Sequence, residues 1–383
     1  MPITKNPGRW TKKLKKGFLF FLACSLMFVI VEGLSSTLLF LSEVAAGWER
    51  LAKPSNTQYD RDLGWSNVPN LYIRDIYGPG VYFKTNSRGF RSNEEIETNI
   101  PAGKLRIICS GDSFTLGYGV DNDHTWCQQL TSLDPRIQTA NMGQHGYGLD
   151  QAYLWYMRDG TVIDHDAQVF AMIGEDLGRM QAARLWGYGK PVLKVQNGEL
   201  KATNVPVPRQ SPIIPRLALV RRLLVNLKAV ELMHDIGSKF AARGNPAATS
   251  NSTAPDQRQV VAKILESLQA TNKRKNSTVI LLYQPVAEEC RAPESTQASR
   301  SLLEQEALKQ GVPFLDLTND FANLPAQSFD KLFLGKGSEE YVIVRGHYSA
   351  EGNRYVAQLL YQWLIARPAI AEKLSRLPAS PAK

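Results

Sequence analysis

A chain of 383 residues, 43% of them hydrophobic, is long enough for one large domain or two small ones and can bury a sizeable core. Its net charge of +9 is concentrated at one end. The chain shows no basic stripe interleaved with aromatics, which excludes nucleic acid as a partner. Four cysteines are too few for a disulfide framework. No Cys-x-x-Cys, His-Glu-x-x-His or glycine-rich phosphate loop occurs, so neither a metal nor a cofactor is expected.

Lys5, Arg9, Lys12, Lys13, Lys15 and Lys16 crowd residues 1–16. An apolar run follows from Gly17 to Leu41, interrupted at Glu32. As a helix this run spans roughly 37 Å, enough to cross a bilayer. Glu32 falls in the outer half, where a carboxylate needs a partner or a snorkelling position. Positive charge before the run and little just after it predict a cytoplasmic N-terminus. Residues beyond 41 then lie on the periplasmic side of an inner membrane. A cleaved signal peptide, with Ala45-Ala46 near the cut, is the competing reading. The length of the run favours a retained anchor. A buried helix of a soluble core leaves the lysine cluster without a purpose.

Residues 42–104 read as a connecting region. Asp62-Leu63-Gly64-Trp65 and Thr85-Asn86-Ser87-Arg88-Gly89-Phe90-Arg91 mark turns whose aromatics tuck onto the main domain. The β-branched run Leu105–Ser110 predicts a buried strand, with a helix starting over His124–Leu130. Further strands are predicted over Val169–Ile173, Ser277–Tyr283 and Val312–Asp316, with helices over 257–274 and 350–366. Strands alternating with helices imply a parallel sheet covered on both faces, with sites at the strands' carboxyl ends. Gly111-Asp112-Ser113, Gly174-Glu175-Asp176 and Gln284-Pro285 all follow strands and can converge on one rim. Residues from about 186 to 256 interrupt the rhythm as an insertion. Within it, Pro206, Pro208, Pro212 and Pro215 lead into a basic, apolar helical stretch over Leu217–Met233, and Asn245–Pro255 is flexible. The insertion either shapes a substrate groove or is a surface excursion. The tail after Arg367 is expected to be loose. Cys24 lies in the anchor and Cys109 is a small core residue. Cys127 and Cys290 could pair in an oxidising compartment, but are expected not to.

The chemistry gathers at Gly111-Asp112-Ser113-Phe114-Thr115. A serine at a strand-to-helix turn is exposed where backbone N–H groups point outward, which suits a nucleophile beside an oxyanion site. The same triplet also makes ordinary turns. A serine nucleophile needs a base. Of His124, His145, His165, His234 and His347, the last stands out. It sits in the glycine-flanked turn Gly346-His347-Tyr348-Ser349, just before the final long helix.

These residues resemble the SGNH/GDSL hydrolase family, in its group with an N-terminal membrane anchor. Ile107 to Val120, including Gly111-Asp112-Ser113-Phe114-Thr115, is similar to the first family block, whose serine is the nucleophile. Asn141-Met142-Gly143 with Gly146 to Gln151 resembles the second, whose glycine gives an oxyanion N–H. His347 with Ala350-Glu351-Gly352-Asn353 resembles the last, whose histidine is the base. The likeness covers residues 105–366, and the Asp62–Trp65 and Asn86–Phe90 elements look like the anchored group. It implies a three-layer, flavodoxin-like α/β fold. It also implies a serine esterase or acyl-transfer enzyme with Ser113 and His347 as catalytic residues and Asp112 and Asp176 in support. Ser113 and Gly143 would hold the oxyanion, and the substrate would be an acyl ester, of envelope glycans or lipids.

Two positions depart from the pattern. Glu175 stands where the third block has an asparagine donor, and it can donate only when protonated, which burial would have to bring about. The aspartate usually found two or three residues before the histidine is replaced by Arg345 and Val344. A backbone carbonyl, Glu339, Glu340 or Asp330 could orient the imidazole instead. His145 is a second, weaker choice of base, and its plain reading is a loop residue packed against the rim. A non-catalytic relative that binds an acylated or polysaccharide ligand is the alternative these departures favour. An accessory envelope protein working through the anchor and the insertion is a third reading.

Overall fold

The computed structural model describes residues 7–45, 56–185, 188–208, 254–335 and 344–378. The chain divides into two compact units, one containing the N-terminal helix and the other the α/β domain. Helix α1 (Pro7–Ala45) runs for 39 residues. Its segment Lys15–Leu38 is long and apolar enough to cross a membrane. Phe18, Phe20, Phe21 and Phe28 stand on its exposed surface.

The second unit begins with two small antiparallel hairpins. Strand β1 (Thr57–Asp60) pairs with β2 (Gly64–Asn67), and β3 (Tyr72–Ile73) with β4 (Phe83–Lys84). There follow β5 (Leu105–Gly111), the short helix α2 (Ser113–Leu116), α3 (Trp126–Leu133), β6 (Ile137–Gly143) and α4 (Leu149–Arg158). Next come β7 (Ala167–Met172), α5 (Gly174–Arg179), β8 (Arg184–Leu185), β9 (Tyr188–Gly189) and the hairpin β10 (Val192–Gln196) to β11 (Glu199–Thr203). Then follow α6 (Ala254–Arg274), β12 (Thr278–Tyr283), α7 (Gln297–Gln310), β13 (Phe314–Asp316), α8 (Ala350–Ile365) and α9 (Pro368–Ser375).

Five of these strands form one parallel sheet in the order β13-β12-β7-β5-β6. Numbered along the sheet-forming strands, this is the flavodoxin-like order 2-1-3-4-5. Alternate side chains of the sheet feed two cores. Ile108, Phe170 and Leu281 pack with α4, α6 and α7, whereas Ile107, Cys109 and Val169 pack with α3 and α8. The fold is therefore three layers, as the sequence implied, and the chain reverses direction across the sheet between β5 and β7. A crevice at the carboxyl ends there is where such folds place their ligands.

Several elements differ from the sequence reading. Strand β6 carries Gln138, Thr139 and Asn141, so it lacks an apolar run; it is an edge strand, and its outer side is bridged by Arg91, whose N–H donates to Asn141 O at 3.0 Å. The tail is not loose throughout. Pro368 opens α9, a position where proline's missing N–H does no harm, and Ile370 and Leu374 bury against α8. Trp65 and Phe90 of the upstream region lie in the core beside Tyr147 and Trp155. The basic, apolar stretch over residues 217–233 and the segment 245–253 lie outside the described residues. Cys109, Cys127 and Cys290 are buried free thiols.

Candidate active site

Strand β5 ends at Gly111, where a Cβ would sit 2.4 Å from Thr115 Oγ1 and 2.5 Å from Ala171 O. Only glycine lets the chain turn this tightly into α2. Asp112 caps the helix, its Oδ1 accepting the Phe114 N–H at 2.9 Å. Ser113 is the first helical residue, and its N–H has no acceptor within so short a helix. The turn is also held from its far end. Arg91, 3% exposed, donates from Nη1 to Leu116 O at 2.8 Å and Gly117 O at 2.6 Å, and from Nη2 to Val120 O at 2.5 Å. A cation on the last carbonyls of a helix is favourable, and here it satisfies three buried acceptors.

His347 meets the serine from the other side. Its Nε2 lies 2.9 Å from Ser113 Oγ, and its Nδ1 lies 3.2 Å from Val344 O. A carbonyl only accepts, so Nδ1 carries the proton and Nε2 is left to accept from the Ser113 hydroxyl. The Val344 carbonyl thus stands in for the missing aspartate. Asp330 instead faces Arg291 at 3.3 Å, and Glu339 and Glu340 lie outside the described residues. The histidine turn is braced from below. Gly352 approaches Leu332 O so closely that a Cβ would lie 2.1 Å away. Asn353 accepts the Trp126 N–H at 3.0 Å and donates to Tyr348 O and Ser349 O. These contacts are what Gly352 and Asn353 contribute to the histidine turn.

The imidazole stacks on Phe114 at 4.8 Å and leans on Tyr118 at 5.2 Å. Burial, helped by the positive charge of Arg179, pushes the His347 pKa down to about 4. The ring is neutral at neutral pH and available as a base. His145 stacks on Tyr118 at 4.6 Å, and burial pushes it too down to about 4. The ring that meets the Ser113 hydroxyl is His347, not His145.

The expected oxyanion donors fare differently. Gly143 lies under α2, where a Cβ would meet Leu116 N at 2.1 Å, so the glycine is required for close approach. Its N–H, however, donates to Asn141 Oδ1 at 2.9 Å and does not point free into the site. Glu175 is no donor either. Its carboxylate is largely exposed and accepts from Arg179 Nη2 at 2.6 Å. Ser113 N–H remains of the three donors expected.

Asp112 and Asp176, the acids expected in support, meet at the same guanidinium. Arg179 Nη1 lies 2.8 Å from Asp176 Oδ1 and 3.4 Å from Asp112 Oδ2. Asp176 also accepts the Ile173 N–H at 3.1 Å. Burial raises both carboxyls, and the neighbouring Asp112 charge raises Asp176 further. Burial works against the charge on Arg179, but Asp176, Asp112 and Glu175 outweigh it and keep the guanidinium charged. Sequence reading missed Arg91 and Arg179. Arg91 lay within a noted motif, yet nothing local says that an arginine there reaches across to α2. Among the described residues no cluster of three or more His, Cys, Asp or Glu is arranged to hold a metal.

No family model matches the chain, and no curated protein matches it. Among solved structures it is similar to a lipase/acylhydrolase from Enterococcus faecalis, with 14% identity and a TM-score of 0.37 over 73% of this chain and 100% of that one. It is also similar to an acetyl xylan esterase, with 13% identity and a TM-score of 0.39 over 68% and 100%. A member of the lipolytic G-D-S-L family from Veillonella parvula matches at 14% identity and a TM-score of 0.33, over 71% and 100%.

Proposed function

We propose that the protein is a serine ester hydrolase or acyl-transfer enzyme, anchored in a membrane by α1 with the α/β domain on the extracytoplasmic side. The observation that carries this reading is the 2.9 Å contact between His347 Nε2 and Ser113 Oγ at the carboxyl ends of a doubly covered parallel sheet. In the proposed reaction, His347 takes the Ser113 proton as Oγ attacks an acyl carbonyl, and an acyl-enzyme forms as the alcohol leaves with that proton. Water or a sugar hydroxyl, activated by the same imidazole, then accepts the acyl group. The Ser113 N–H supports the developing oxyanion. An acyl ester of an envelope glycan or lipid is the substrate this location would offer.

A second reading has its own observation. Gly143 N–H is engaged by Asn141, and Glu175 is an acceptor, so two of the expected oxyanion donors are absent. Each such donor is worth about 3 kcal/mol in a transition state. That favours a relative that binds an acylated ligand without turning it over. The full-length protein in detergent, given p-nitrophenyl acetate, separates the two. Release of p-nitrophenol that Ser113→Ala and His347→Ala both abolish supports the enzyme. Release unchanged in both variants, or absent from the folded wild type, contradicts it.

A further inference from the structure

Arg179 touches three turns that follow three adjacent strands of the sheet. It reaches Asp112 after β5 at 3.4 Å, the carbonyl of Tyr147 after β6 at 3.4 Å, and Glu175 and Asp176 after β7 at 2.6 and 2.8 Å. Those turns carry the nucleophile, the second block and the third block. The side chain is only 15% exposed, so its position is set by these contacts and not by solvent. Two of the contacts lie at the long end of hydrogen bonding, but the guanidinium fork can serve several acceptors from one plane where a lysine cannot.

We propose that Arg179 is the positioning residue of this site, holding the nucleophile turn in register with the turns beside it. The inference rests on the hydrolase reading for its kinetic consequence, though the clamp itself does not. It accounts for Glu175. A carboxylate where the family keeps a donor looks like a loss, yet it stands one helical turn before Arg179 in the favourable acid-then-base order and accepts from its Nη2. It accounts as well for two buried acids at one end of so short a turn. Asp112 and Asp176 would repel each other across a dry gap, and one shared guanidinium makes the pair tolerable. Asp112 in turn caps α2 through Phe114 N–H, so a pull on Arg179 is a pull on Ser113. The same positive charge adds to the burial that keeps the imidazoles of His347 and His145 neutral.

The test compares full-length wild type, Arg179→Met and Arg179→Lys in detergent. Two readouts are taken: the rate at which a fluorophosphonate labels Ser113 across pH, and the titration of the His347 ring by NMR, assigned by its loss in His347→Asn. Arg179→Met is expected to slow labelling at least ~10-fold, as a misplaced catalytic group does. It is also expected to move the His347 titration upward, because a nearby positive charge has gone. Arg179→Lys keeps the charge but not the fork, so it should restore the titration without restoring the labelling rate. A purely structural ion pair would not produce that split. Should Arg179→Met fail to fold, Arg179→Lys and Asp176→Asn carry the comparison. Folded variants with wild-type labelling and wild-type titration overturn the proposal. If wild type itself is never labelled, the hydrolase reading falls, and the His347 titration alone decides whether Arg179 acts on the site.

Discussion

At the scale of single residues, the site is a serine and a histidine oriented by a backbone carbonyl. A carbonyl fixes the tautomer as an aspartate would, but it would offer no full charge to the imidazolium formed in the proposed reaction. With His347 depressed to about 4, the proposed base would be competent but weak, and the acid limb of kcat/KM should fall near pH 4 rather than near 6.5. A pH–rate profile with its limb at 6 or above would contradict this environment for the ring. Gly143→Ala should push α2 aside, since its Cβ would meet Leu116 N at 2.1 Å. A loss of about 100-fold in esterase rate is expected, read beside an unchanged far-ultraviolet circular dichroism spectrum. The sequence singled out Ser113 and His347 through short motifs and their family resemblance, and the fold brings the two side chains together. The role of Glu175 was not legible. Its pairing partner, four residues on, matters only because α5 carries it back towards Asp112, which no local pattern announces.

At the scale of elements, α2 is a helix of one turn that cannot stand alone, so its stability comes from both ends. Arg91 satisfies the carbonyls of Leu116, Gly117 and Val120, all away from water. Arg91→Met should therefore cost about 3 kcal/mol in urea unfolding, the penalty of stranding buried acceptors. A second buried charge ties Lys190, the residue after β9, to α4. Lys190 Nζ and Asp150 Oδ2 lie 2.5 Å apart with both side chains 0% exposed. Lys190→Met strands the Asp150 charge and should cost about 3–5 kcal/mol, whereas Lys190→Met with Asp150→Leu should recover much of it. If the double variant is no more stable than the single one, the pair is not what holds the hairpin. The elements easiest to read were the central strands, whose apolar runs reflect burial on both faces. Strand β6 escaped notice because an edge strand tolerates Gln138, Thr139 and Asn141, and α9 because its proline looked like an end rather than a start.

At the scale of the whole molecule, the flavodoxin-like order could be expected from the βα alternation and the family likeness, but the register could not be read from the sequence. The register matters, because pairing Gly111 with Gly143 is what sets the nucleophile turn over the second block. Stability should also carry the mark of the site. His145 and His347 are both held below the histidine range, so between about pH 6.5 and 4 the unfolded chain binds more protons than the folded one. Stability should be fully present above 6.5 and fall as the pH drops towards 4. The decline should be shallower in His347→Asn, as thermal melts across pH would show.

The most direct measurement is mass spectrometry of the full-length, detergent-solubilised protein after exposure to a fluorophosphonate. A single adduct on the peptide containing Ser113, lost in His347→Ala, is the expected result. A folded protein that takes up no adduct, or takes it up elsewhere while Ser113 stays free, would contradict a nucleophilic serine activated by His347.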